Sequence, residues 1–438
     1  MGRLVPLALV ILVAANCLSG CKALSPGGGQ GRFAAPRTTE APGALVRSQK
    51  PRDPAPKVPD ADAKALADGN HAFACSLYHE LAGGEGNLVF SPLSISTAMA
   101  MAYAGARGRT AEQLADVLHF DLPPERLHPA FNSICLALQP PQGADEKTVK
   151  LTMLNALWAQ KGGHYVESFL DTLAANYGAG MHELDIAGNP QGACKAINRW
   201  IKEATGGRIA ELVPTGGMDG VALAITDAVY FRGYWNYQFD EKDTHDGPFH
   251  RLGDGPVTVS MMHQTHSFDY GEGDGYQAVS LPYYLERQAM VVVLPQSGQF
   301  ERVEAGLDAD FVSGLQGRLR GTRVDLGLPR LSFSGSAELA PVLARMGAPD
   351  AFTSEADFSG ITVGAGLWIS EVRHGAFLSV NEKWTEATAA TEVAWKSAEE
   401  PDRPVEMTVD RPFLFLIVDK PTGAVLFMGR VMDPTAKQ

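Results

Sequence analysis

The sequence predicts an α+β fold carried by one domain over residues 61–435. Three observations predict it. Apolar residues recur at helical spacing mainly between 60 and 205. Runs rich in Val, Ile, Phe, Tyr and Thr dominate from there to 430. Helices gathered early and strands late differ from the regular alternation of a doubly wound sheet, and no Pro/Gly-rich linker divides the span.

Composition supports a packed chain and excludes some partners. The 438 residues are 45% hydrophobic and 20% charged, which is globular and not disordered. Lys and Arg number 37 against 50 Asp and Glu, a net charge of -13. That balance argues against nucleic acid, whose phosphates need clustered cations, and against electrostatic docking on anionic lipid.

The N-terminus is predicted to lie outside the fold. Residues 4–15 are an unbroken apolar run, too short for a bilayer span of ~20 residues. Arg3 before it and small residues after it predict a signal peptide over 1–20. Leu18-Ser19-Gly20-Cys21 resembles the lipobox of bacterial lipoproteins, which implies acylation of Cys21 and cleavage before it. Two or more acyl chains make a stable anchor. Residues 21–60 are rich in Gly, Pro and Ala and predict a flexible tether. Cys17 leaves with the signal and Cys21 carries lipid. Cys75, Cys135 and Cys194 remain, an odd number, and are expected as small buried hydrophobes.

Helices follow in order. Leu66, Phe73, Leu77 and Leu81 share one face. Ser91 with Pro92 forms a cap and first position ahead of 93–104. Thr110 and Gln113 make a capping box before Leu114, Val117 and Leu118. Leu127, Phe131, Ile134 and Leu138 mark the next helix, and Phe169, Leu170, Leu173 and Tyr177 another. Asn189-Pro190 opens a helix bearing Ile197, Trp200 and Ile201, which Gly206 and Gly207 end. Strands are predicted at 148–159, 180–185, 221–232, 256–263, 288–294, 367–372, 376–381, 405–409, 413–419 and 424–430.

The chain lacks the sequence motifs of common catalysts: no G-x-S-x-G, no H-E-x-x-H and no phosphate-binding G-x-x-x-x-G-K. Gly271, Gly273 and Gly275 suit a hairpin loop better than a phosphate cradle. His245, His250, His263 and His266 are dense but lack a metal-ligand spacing, and are expected as surface residues. Glu399, Glu400 and Asp402 suit a solvated loop. Neither an enzyme nor a metal or cofactor is expected.

Several segments in order resemble the serpin family of protease inhibitors. They include Asn87 to Ser96, Asn155 to Trp158, Ile197 to Ile209, Thr226 to Phe231 and Met261-Met262. Leu328-Pro329-Arg330, Phe358 to Ile361, Arg411 to Phe415 and Leu426 to Arg430 continue the match. The resemblance implies early helices on a large mixed β-sheet, further sheets, and an exposed reactive loop at about 382–404. It implies a monomer whose loop is cut by a protease, inserts into the main sheet and traps the enzyme covalently.

The hinge of that loop resembles Glu382 through Thr391. Strand parity puts Thr385, Ala387, Ala389 and Thr391 on one face, all small, and Glu386, Thr388, Ala390 and Glu392 on the other. Taken alone, 383–398 also suits an Ala-rich helix. Two departures stand out. Trp384 replaces the family's usual Gly, and Asp227 its usual Asn. By resemblance, Ser91, Ser94 and His374 form a gate cluster, and Asp227 is expected to join it. A carboxylate beside His374 would favour the imidazolium.

The family's hinge-to-bond spacing puts the reactive bond at Ala398-Glu399, with Lys396-Ser397 as an alternative. Ala before the bond suits an elastase-like target. The expectation is an inhibitor of extracellular serine, or alternatively cysteine, proteases, lipid-anchored to a bacterial envelope or secreted. Lys22 after the lipidated Cys favours the outer membrane. The competing reading is a non-inhibitory serpin-fold binding or chaperone-like protein, for which Trp384 argues.

Overall fold

The computed structural model describes residues 39–363, 366–383 and 403–436. Cys21, Trp384 to Thr391 of the hinge, and Lys396, Ser397, Ala398 and Glu399 lie outside the described residues.

The chain opens with strand β1 (Ala44–Val46), helix α1 (Asp60–Leu81), β2 (Leu88–Phe90) and α2 (Pro92–Tyr103). Helices α3 (Gly108–Leu118) and α4 (Pro124–Ala137) lead to β3 (Lys150–Gln160), α5 (Glu167–Tyr177), β4 (Met181–Leu184) and α6 (Pro190–Ala204). Then come β5 (Leu223–Arg232), β6 (His245–Phe249), β7 (Val257–Gly273), β8 (Tyr276–Pro282) and β9 (Gln288–Pro295). Helices α7 (Phe300–Ala305) and α8 (Ala309–Arg318) precede β10 (Arg320–Pro329) and β11 (Leu331–Glu338). Helix α9 (Ala340–Met346), β12 (Ile369–Val380), β13 (Val405–Thr408), β14 (Phe413–Asp419) and β15 (Val425–Val431) complete it. The predicted α+β class holds.

Two sheets organise these elements. A six-stranded mixed sheet runs β1-β4-β3-β5-β12-β11, and a nine-stranded sheet runs β13-β10-β7-β8-β9-β14-β15-β2 with β6 on β7. In the first sheet β5 and β12 are bonded directly and in parallel, from Ile369 opposite Leu223 to Phe377 opposite Tyr230. Strand β5 is buried along nearly its whole length. Its two faces serve two cores, which is why it reads as one apolar run. Ile225 and Val229 face the main core with α1 and α2. Ala224, Ala228 and Tyr230 face a second core with Ile197, Trp200 and Ile201 of α6. Trp158 anchors that second core, donating Nε1 to Thr226 Oγ1 at 2.8 Å and meeting Trp200 edge-on.

Local signals set several boundaries as predicted. Asn189 caps α6 through the Gly192 amide, and Gly206 and Gly207 end it at positive φ. Asp274-Gly275 turns β7 into β8, so the glycine run is a hairpin. Cys75, Cys135 and Cys194 are free and buried. Burial pushes the Cys75 thiol up to about 12, which holds it as an unreactive thiol.

Other expectations need correction. Residues 39–59 are not tether. Strand β1 pairs with β4, Ser48 Oγ donates to Asp171, and Arg52 Nε donates to Asn132 Oδ1 at 2.8 Å. Val46 and Val58 also pack on the main core, but apolar residues are too sparse in the segment for composition to reveal it. Thr110 is not a cap: α3 begins at Gly108, and Thr110 Oγ1 accepts from the Asp357 amide. The strands predicted at 367–372 and 376–381 are one, because Gly375 continues the strand. A Cβ there would approach Leu212 Cδ1 at 3.0 Å, so close packing explains the glycine. Strand β7 runs well past 263, since its polar alternate residues face outward. For the same reason β6, β10 and β11 carried too little apolar contrast to be predicted, whereas β8 is buried almost throughout and is a short run interrupted by Gln277 and Ser280.

The candidate functional site

Two groups of side chains bracket the top half of the β5–β12 seam. The first is the gate cluster beneath it. Ser91 caps α2, accepting from the Ser94 amide, with Pro92 at the first helical position. The cap points the helix N-terminus at the sheet. Antiparallel register sets Asn155 of β3 opposite Asp227 of β5, and parallel register sets Asp227 opposite His374 of β12. One row thus crosses three strands above the helix end.

The hydrogen bonds join all four expected residues. Asp227 Oδ2 accepts from His374 Nδ1 at 2.7 Å, and Oδ1 accepts from Ser94 Oγ. His374 Nε2 accepts from the Ser91 amide at 3.2 Å. Asp227 and His374 are each only 1% exposed. The positive end of α2 faces this carboxylate and offsets part of its burial. The pairing with Asp227 is as expected, but the imidazolium is not. An amide N–H aimed at Nε2 needs its lone pair, so the ring is the neutral Nδ1–H tautomer. A proton on Nε2 would set two donors face to face. Asn155 was missed as a member. It donates Nδ2 to Ser94 O and accepts from Ser94 Oγ, both at 3.2 Å. Only the register could reveal it.

Asp227→Ala should lower unfolding stability by about 1–3 kcal/mol, the cost of leaving the buried His374 donor unmatched. Ser94 keeps Asn155 as an acceptor. Asp227→Asn, which keeps one acceptor oxygen, should lose less. Urea midpoints of the two variants check the order.

The second group clamps the end of β12, where the expected reactive segment begins. Glu382 is the last acidic residue before Trp384, and it is buried at 4% exposure. Its Oε1 accepts from Arg330 Nε and Thr244 Oγ1, each at 2.6 Å, and Arg330 Nη2 adds an ion pair. Burial would raise this carboxyl's pKa, but the Arg330 and Thr244 contacts outweigh it and hold the pKa below the usual range. The backbone is held as well. Trp235 Nε1 donates to Asn381 O at 2.8 Å, and the Phe239 amide to Glu382 O at 3.0 Å. Lys383 Nζ reaches Glu241 at 2.9 Å. Arg330, Thr244 and Trp235 had not been assigned to the hinge. Arg330 stood in a matched segment, but nothing local ties it to a residue fifty positions on.

A depressed folded pKa stabilises the fold above the unfolded glutamate pKa of ~4.3, and that contribution is lost as pH falls through the lower folded value. Glu382→Gln should therefore flatten the acid limb of the stability profile, measured by urea unfolding between pH 6 and pH 3.

The histidines form no such group. His245 and His263 rings are 6.3 Å apart, His266 stacks on Tyr237, and no metal-holding cluster occurs among the described residues.

Comparison with known proteins agrees with this geometry. The family model described as "Serpin (serine protease inhibitor)" matches residues 68–434. An uncharacterized serpin-like protein of Thermococcus kodakarensis is 39% identical, with 93% of this chain and 96% of that protein covered. Leukocyte elastase inhibitor A of Rattus norvegicus is 35% identical over 84% of this chain and 99% of its own length. Among solved structures, the thermophilic serpin tengpin in the native state superposes with a TM-score of 0.80 at 25% identity, covering 89% of this chain and 99% of tengpin. The family match runs from within α1 to beyond β15 and contains the residues of both clusters, while β1 and the start of α1 precede it. The chain therefore belongs to the serpin family, whose members generally inhibit serine proteases.

Proposed function

We infer that this chain is an inhibitory serpin that traps an extracellular serine protease through the segment 384–402. One observation carries the reading. Strand β12 ends at Val380 with its stem clamped at Glu382, while β12 and β5 are bonded directly in parallel. A segment leaving the end of β12 and turning back would enter that seam antiparallel to both neighbours. One parallel ladder would become two antiparallel ones, the more stable pairing per residue. The small side chains of Thr385, Ala387, Ala389 and Thr391 suit entry between packed strands.

The protease attacks the loop and forms an acyl-enzyme. The released strand then inserts before deacylation, and the His374–Asp227 pair must part to admit it. Insertion carries the bound enzyme away from the loop and distorts its catalytic site. We place the bond at Ala398-Glu399. The small residue before it, and the likeness to a protein named as an elastase inhibitor, support an elastase-like target. Trp384 favours a second reading, a non-inhibitory binding protein. Parity puts that residue on the outward face, where its bulk does not enter the core.

Incubation with an elastase-like, a trypsin-like and a glutamyl endopeptidase, followed by denaturing electrophoresis, tests the reading. A covalent complex with the first is expected. A released peptide starting at Glu399 supports the assignment, a start at Ser397 moves it to the Lys396 bond, and absence of any complex favours the non-inhibitory reading.

The lipobox supports an anchored location. Among the described residues no helix is long and apolar enough to cross a membrane. Attachment would rest on acylated Cys21, in the outer membrane of a Gram-negative envelope. Cys21→Ala should release the protein or leave it unprocessed. Mass spectrometry that finds an unlipidated mature N-terminus would discard this location.

A further inference from the structure

A cavity of about 190 Å³ lies between helices α2 and α4, the end of α5 and the first half of β3. Strand pairing leaves it open. Strand β4 joins β3 only from Leu157 to Gln160. Among the described residues, Lys150 to Asn155 therefore have β5 on one side and no strand on the other. Leu151 and Met153 stay only partly buried as a result. With Met101 and Leu138 they give the cavity an apolar wall, and its thioethers adapt to irregular guests.

Most polar groups on the wall are already used. Asn155 is bonded to Ser94, Thr97 Oγ1 donates to Leu93 O at 2.7 Å, and the Tyr177 hydroxyl lies 2.7 Å from His128 Nδ1. Burial pushes the Cys135 thiol up, so it stays neutral. Two groups have no partner among the described residues: the terminal nitrogens of Arg52 and the side-chain amide of Gln139. Arg52 is also the one charged side chain among the described lining residues, and no Asp or Glu answers it there. It is held in place from one end. Arg52 Nε donates to Asn132 Oδ1 at 2.8 Å, Asn132 is fully buried, and its Nδ2 donates to Asp53 O at 2.8 Å. Gly178 makes room for the arginine stem, since a Cβ there would approach Arg52 Cδ at 3.3 Å. A positioned guanidinium beside an apolar wall selects an anion with an apolar tail.

We propose that this cavity binds a short-chain monocarboxylate of about six to eight carbons. Its carboxylate accepts from Arg52 and Gln139, and its tail packs on Leu151 and Met153. An engineered apolar cavity of about 150 Å³ takes benzene, so a cavity of about 190 Å³ suits a tail of this size. Such binding does not depend on whether the chain traps a protease.

Calorimetric titration of the intact protein with hexanoate, and with 1-hexanol as its uncharged counterpart, tests the site. The parent should bind hexanoate with a dissociation constant of about 1 mM or below, within reach of a ligand of about eight non-hydrogen atoms. It should bind 1-hexanol more weakly. Arg52→Gln should weaken hexanoate about tenfold, the loss of a charge-assisted hydrogen bond, and leave 1-hexanol unchanged. Arg52→Lys should keep most of the preference for the anion. Ala179→Leu adds bulk to the wall and should weaken both ligands. Melting temperatures close to the parent's verify that the variants fold. A parent that binds no hexanoate would overturn the proposal. So would an Arg52→Gln protein that prefers hexanoate as the parent does, or an Ala179→Leu protein that binds both ligands as before.

Discussion

Cleavage of the Ala398-Glu399 bond should raise the melting temperature by at least about 10 °C. The intact chain holds β5 and β12 together in one parallel ladder. Once cut, residues 385–398 are free to enter between them. At ~3.4 Å per residue they span roughly 45–50 Å, enough to cross the sheet. Replacing one ladder by two adds on the order of ten backbone hydrogen bonds, each worth about 1 kcal/mol net. For a domain of this size, 10 kcal/mol corresponds to a shift of about 10 °C at ~2.1 cal/mol/K per residue. By strand parity Val393 and Trp395 would fall on the inward face of an inserted strand and add apolar burial. Calorimetry before and after limited proteolysis measures the shift. An unchanged melting temperature means that the strand does not insert.

On the proposed function, a charge on the inward face of the hinge should turn protease trapping into plain cleavage. Ala389→Asp would carry a carboxylate into a packed seam. The resulting penalty of several kcal/mol opposes insertion, while deacylation proceeds as before. Slowing insertion by ~3 kcal/mol is a factor of about 100 in rate. The covalent complex should nearly vanish and cleaved protein accumulate. Ala390→Asp, one residue along and on the outward face, should inhibit almost normally. Titration of inhibitor against a fixed amount of protease measures both. Equal effects at 389 and 390 would refute the parity on which the hinge assignment rests.

Much of the site was legible because its signals are short in range. Ser91-Pro92 is a cap followed by a first-turn proline, and it folds as one. The small-residue run after Glu382 is visible as alternation. What stayed hidden depended on partners far along the chain. Arg330 and Thr244 close on Glu382 across 52 and 138 residues. Asn155 joins the gate only through the β3–β5 register. Half-exposed strands such as β10 lacked apolar contrast, and residues 39–59 are anchored by pairing of β1 with β4, by polar contacts and by a few scattered apolar side chains.

The sequence by itself determined the α+β class, the six early helices and the family resemblance. These follow from periodicity, caps and side-chain size, which act over a few residues. Only the tertiary structure decided that β5 lies directly against β12, that Glu382 is clamped, and that His374 is neutral. Strand neighbours are chosen by long-range packing. A tautomer is chosen by whichever donor arrives at the free ring nitrogen, here the Ser91 amide from a helix 283 residues away.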